Sequence, residues 1–99
     1  MEKTIYKVGI KETFDLAGGT NWEEDCAGYF FHRYDAWEKL IDEFTALCTK
    51  ADVEYGDVYE DGKFWKHIDE RLGIAIYEGC DAYGEKWTKT AWLEEIKVR

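Results

Sequence analysis

Between Trp37 and Cys48 the residues Trp37, Leu40, Ile41, Phe44, Leu47 and Cys48 recur at i, i+3 and i+4, the spacing that gathers side chains onto one stripe of a helix. A helix with one apolar stripe must bury that stripe against another layer. The spacing predicts a helix over about 36–50, with Asp35 as N-cap and Glu38 three residues later completing a capping box. Glu38, Lys39, Asp42, Glu43 and Lys50 fall on the opposite, solvated face.

The partner layer is legible on both sides of this helix. From Thr4 to Phe14, Tyr6, Val8, Ile10 and Phe14 alternate with Lys7, Gly9, Lys11 and Thr13, the period of a half-buried strand. Gly28–Tyr34 (GYFFHRY) is dense in aromatics and reads as a second strand, its Tyr29, Phe30, Phe31 and Tyr34 more at home in a core than on a binding platform. Ile74–Tyr77 and roughly Trp87–Val98 read as two more strands, paired antiparallel. Asp15–Gly28 holds three glycines, an asparagine and four acids with no base, which reads as a long loop. Phe64, Trp65, Ile68 and Leu72 fit a short second helix over about 63–72, closed by Gly73 with Arg71 in its last turn. The expected fold is α+β: a single domain spanning 1–99, with a mainly antiparallel sheet of about four strands on one main helix.

Ninety-nine residues without a proline, 45% apolar and 17% aromatic, suffice for one core and argue against disorder. The net charge of −9 is shared along the chain, with ten acids against six bases in residues 1–50 and twelve against seven in 51–99. Such a field repels phosphate backbones and anionic lipid, so direct nucleic-acid or membrane-surface binding is not expected. Cys26, Cys48 and Cys80 are odd in number and widely spaced, as reduced thiols of a cytoplasmic protein would be. MEKTIYKVGIKE lacks the apolar run of a signal peptide.

The functional signal is the run Asp52–Asp61 (DVEYGDVYED), five carboxylates without a base and two interleaved tyrosines. Extended at about 3.3 Å per residue, its carboxylates would average roughly 6–7 Å apart, on the order of a nucleotide step. Asp52, Glu54, Asp57, Glu60 and Asp61 could then occupy a groove of Lys and Arg that ordinarily tracks a nucleic-acid backbone. Tyr55 and Tyr59 could stack on arginine planes there. A second acidic cluster, Glu23, Glu24 and Asp25, stands beside Trp22, either an exposed anchor or a lid over the core.

Sharper chemistry is not supported. An EF-hand loop starting at Asp52 would need glycine where Asp57 stands and glutamate where Lys63 stands. Cys26 and His32, with Cys48, His67 and Cys80 distant in sequence, lack zinc spacing. The Gly18-Gly19 pair lacks the remainder of a phosphate loop, and no cysteine lies in a marked electropositive setting. No catalytic residue, metal or cofactor is therefore expected.

In charge, size and lack of a catalytic signature the chain is similar to small phage-encoded antagonists of bacterial defence, including DNA-mimicking anti-CRISPR proteins. That likeness covers general character and transfers no residue positions. It implies an inhibitor that binds a basic, nucleic-acid-handling protein in the host cytoplasm. Three alternatives stand beside it: an adaptor or inhibitor that docks through its sheet edge or aromatic surface, a small enzyme or ligand-binding domain, and a homo-oligomeric structural protein that uses its last strand.

Overall fold

A computed structural model of the chain describes residues 3–16, 19–55, 63–80 and 85–98, with residues 15, 16, 19–22, 54, 55 and 63 described by their backbone alone. The alternating first segment forms β1 (Lys3–Leu16), followed by β2 (Gly19–Phe30), α1 (Arg33–Tyr55), β3 (Lys63–Asp69), β4 (Ile74–Cys80) and β5 (Lys86–Val98). The strands make one sheet in the order β2-β1-β5-β4-β3, antiparallel at every junction. One face carries α1, so the α+β architecture is as expected, with five strands in place of four and one helix in place of two.

The core lies between the helix stripe and the central strands. Leu40, Phe44 and Cys48 cluster with Val8 of β1, Ala75 and Tyr77 of β4, and Trp87 and Ala91 of β5, all buried, and Leu47 is buried as well. Tyr6, Ile10 and Phe14 pack around this cluster half-buried, which is the side the β1 alternation assigns to them. Removing apolar area of this size from water stabilises by about 1.5–3 kcal/mol for each large side chain. α1 packs on β5, β1, β2 and β4, while its described backbone stays more than 8 Å, Cα to Cα, from that of β3.

Three expectations are corrected. The segment read as a loop is mostly β2, because pairing with Tyr6 to Leu16 of β1 supplies hydrogen-bond partners that outweigh its poor strand propensity. Its glycine content serves a bulge: Val8 pairs with Gly28 and Gly9 with Cys26, leaving Ala27 as the extra residue. Gly28 adopts φ 148 there, a backbone that only glycine takes up readily.

The segment read as a second helix is the edge strand β3. Phe64, Lys66 and Ile68 take one side and Trp65, His67 and Asp69 the other, opposite β4. Its apolar spacing fits either period over so short a stretch, and the aromatic content suits a strand. Gly73 does adopt the left-handed φ of 68 expected of a helix stop. It closes the turn between β3 and β4 instead, with Gly73 N donating to Glu70 O at 3.1 Å and Leu72 N to Asp69 Oδ1 at 3.0 Å.

The third correction concerns the helix ends. α1 starts at Arg33, so Asp35 lies in its first turn, where a carboxylate favours the positive helix terminus. Tyr29 and Phe30 end β2, Phe31 and His32 form a bend, and Tyr34 is already helical. Of the aromatics expected in the core, Tyr29, Phe31 and Tyr34 are exposed and Phe30 alone packs against it. At the other end α1 runs past Lys50 to Tyr55, so Asp52, Glu54 and Tyr55 rise about 1.5 Å per residue and not the 3.3 Å of an extended chain.

Candidate binding surfaces

The first surface is a groove of about 510 Å³ lined by Tyr34, Trp37, Glu38, Ile41 and Asp42 of α1 and by Glu70 of the β3–β4 turn. Helical spacing explains the set, since positions 34, 37, 38, 41 and 42 share one flank of the helix. Arg33 braces the opposite wall: its guanidinium donates to the carbonyl oxygen of Glu70 and, at 3.2 Å, to that of Arg71. Trp37 and Ile41 are half-buried and form an apolar floor, while Tyr34, Glu38, Asp42 and Glu70 are exposed. Hydrogen bonding to the Glu38 carboxylate, reinforced by Asp35 and Glu70, pushes the Tyr34 phenol above its ordinary value. Three carboxylates beside two aromatic rings suit a guanidinium or ammonium group. Glu38 and Asp42 were legible as a solvated face. Their convergence with Glu70, twenty-eight residues beyond Asp42, depends on the fold.

The second surface is a polar row beneath the C-terminal half of α1. The register aligns Glu23 of β2, Glu12 of β1, Lys89 of β5, Tyr77 of β4 and Lys66 of β3 across the helix-covered face. Glu12 Oε1 accepts from Lys89 Nζ at 2.7 Å and from Lys50 Nζ of α1 at 3.1 Å. Lys89 is 4% exposed, a buried charge that needs such a partner. Burial raises the Glu12 carboxyl, but the two ammonium groups outweigh it and hold the group below its usual range. Tyr77 Oη donates to Asp52 Oδ1 at 2.6 Å, and burial, then this bond, push the phenol up to about 12. Lys66 Nζ lies 4.6 Å from the centre of the Tyr77 ring.

The sequence-derived site residues distribute as follows. Glu23, Glu24 and Asp25 are exposed on β2, at one edge of the sheet, with Glu23 and Asp25 opposite Glu12 and Ile10 and Glu24 opposite Lys11. Trp22 pairs in register with Thr13. Asp52, Glu54 and Tyr55 belong to the last turns of α1, and Asp57, Tyr59, Glu60 and Asp61 lie outside the described residues. Asp52 stands over Tyr77 of β4, three strands from Glu23 and so about 14 Å away across the sheet. Lys50 and Lys89, bound to Glu12, come between them.

The third surface is β3 itself, whose Phe64, Trp65 and Ile68 are 41%, 51% and 49% exposed. No three Cys, His, Asp or Glu side chains gather as metal ligands among the described residues. Burial pushes the Cys48 thiol upward, which makes it a poor nucleophile. No helix among the described residues is long and apolar enough to cross a membrane. Comparison with protein-family models, with curated proteins and with solved structures finds no match for this chain.

Proposed function

We propose that this chain is a protein-binding inhibitor that occupies the Lys and Arg side chains of a basic, nucleic-acid-handling partner in place of phosphate. The observation that carries this reading is the groove of Glu38, Asp42 and Glu70 around Trp37, Ile41 and Tyr34. A guanidinium seated there meets carboxylates on its edge and an aromatic face beneath, a stronger arrangement than an exposed ion pair alone. The chain's charge of −9 steers a basic partner toward it and makes association sensitive to salt. The acids of Asp52–Asp61, including Asp57, Glu60 and Asp61, extend the same attraction.

The test begins with affinity capture from nuclease-treated lysate at low and moderate salt, followed by titration of the captured partner. Reversing Glu38, Asp42 and Glu70 to lysine together is expected to weaken binding by at least about a hundredfold, at roughly 1 kcal/mol per lost contact. Reversing Asp57, Glu60 and Asp61 measures the share of the acidic run. Binding unchanged by both sets, or unaffected by salt, would overturn the reading. A second reading, docking through the sheet edge without charge mimicry, draws on the exposure of Phe64, Trp65 and Ile68, and a salt-independent complex would favour it.

A further inference from the structure

The two edges of the sheet differ in chemistry. At the β2 edge the exposed Glu23, Glu24 and Asp25 stand in sequence, and two such edges would repel each other. The β3 edge carries no carboxylate from Phe64 to Ile68. On the helix side Phe64 leans on Trp87 and Tyr77, with ring centres 5.8 and 6.3 Å apart, yet Phe64, Trp65 and Ile68 are each between 41% and 51% exposed among the described residues. Leu72 in the adjoining turn is 71% exposed.

Natural sheets usually blunt such an edge with an outward lysine, a proline or a bulge. Here the chain has no proline and β3 pairs with β4 without a break in register. Of its two lysines, Lys66 leans back over the Tyr77 ring. Trp65 is stacked on His67 with ring centres 5.7 Å apart and planes within 6°, which presents a flat aromatic surface at the rim.

We infer that β3 is a self-pairing edge, and that two copies of this chain join antiparallel through it into one continuous ten-stranded sheet. A second copy is the occupant that the charge selects: from Phe64 to Ile68 this edge lets two copies of an acidic protein meet without opposing carboxylates. A two-fold axis normal to the sheet keeps both helices on one side and sets the residue at the axis against its own copy. Centred on Lys66, that pairing would oppose two like charges. Centred on Trp65, it sets Trp65 against Trp65 on the face away from the helices and keeps the two Lys66 side chains apart. This inference stands apart from the acidic groove, which lies on α1 and the β3–β4 turn and needs no second copy.

Sedimentation equilibrium of the full chain tests it. Wild type is expected to approach twice the 11.7 kDa chain mass as concentration rises, and added salt should strengthen the dimer by screening repulsion between two −9 molecules. Trp65→Glu should raise the dissociation constant at least on the order of tenfold, as loss of a central aromatic anchor does, whereas Val53→Glu, at a 77% exposed position on α1, should not change it. Amide exchange of wild type supplies a readout that needs no variant: protection of β3 should grow with protein concentration while β2 stays constant. A monomer at all concentrations, or a dimer indifferent to Trp65→Glu and to salt, would overturn the inference.

Discussion

At its N-terminal end α1 turns Glu38 and Asp42 outward toward Glu70 around an open groove, whereas at its C-terminal end Glu12 and Asp52 are joined to Lys50, Lys89 and Tyr77. Both ends are rich in carboxylates. At the first, Glu38 and Asp42 are left to face an incoming molecule; at the second, Glu12 and Asp52 are drawn into the contacts that hold the helix on the sheet. An acid counted in a sequence is therefore not yet an acid available for binding, because what lies opposite it in the fold decides its use.

The sharpest way to break this comparison is to remove a carboxylate from each end. Glu12→Ala leaves Lys89, 4% exposed, without the carboxylate 2.7 Å from its Nζ, and is expected to destabilise by about 2–4 kcal/mol. Urea denaturation followed by tryptophan fluorescence measures it. The same contact sets an acid limit. Because the folded Glu12 carboxyl is held below its unfolded value of 4.5, its contribution is present above that pH and is lost as pH falls through the folded value. Wild type should therefore lose stability on acidification more steeply than Glu12→Gln. Equal slopes would show that the ion pairs do not hold the C-terminal half of the helix.

A smaller effect is expected at the alkaline side. Tyr77 has its phenol raised from 10.0 to about 12, so the folded state keeps a proton that the unfolded chain gives up. That contribution is complete below pH 10.0 and is lost as pH rises toward about 12. Asp52→Asn replaces the carboxylate that accepts from Tyr77 Oη with a neutral amide and should bring this phenol's titration down. Near-ultraviolet phenolate absorbance, taken as the difference between each protein and its Tyr77→Phe counterpart, reads the shift. An unmoved titration would mean that burial alone sets it, and that Asp52 is freer to bind than its geometry indicates.

The contrast between the two ends also marks what was legible in the sequence. The helix stripe, the β1 alternation and the pairing of β4 with β5 follow from spacing, because each has a burial pattern that one period alone satisfies. β3 and β2 were misread for opposite reasons. Phe64, Trp65, Ile68 and Leu72 fit a helical period in a segment too short to exclude the other. Thr20–Gly28 has weak local preference of its own and becomes a strand through its pairing with β1. The groove was hidden for a third reason: Trp37 and Ile41 read as core and Glu38 and Asp42 as surface. The boundary between those classes becomes a binding surface only once the β3–β4 turn is set beside it by Arg33. Lys89 was hidden more completely, since a lysine among alternating residues gives no sign that a glutamate 77 positions away will meet it.

The least perturbing change completes the comparison. Glu38→Gln with Asp42→Asn removes two charges from exposed positions on the groove rim, and the stability change should stay within about 0.5 kcal/mol. The same pair should weaken binding of a basic partner and flatten its salt dependence, since two fewer carboxylates take part. Denaturation and titration on one protein sample measure both. If the double variant instead lowered stability as much as Glu12→Ala, the groove acids would belong to the structural framework like those at the other end of α1. Two functions for one helix would then reduce to one.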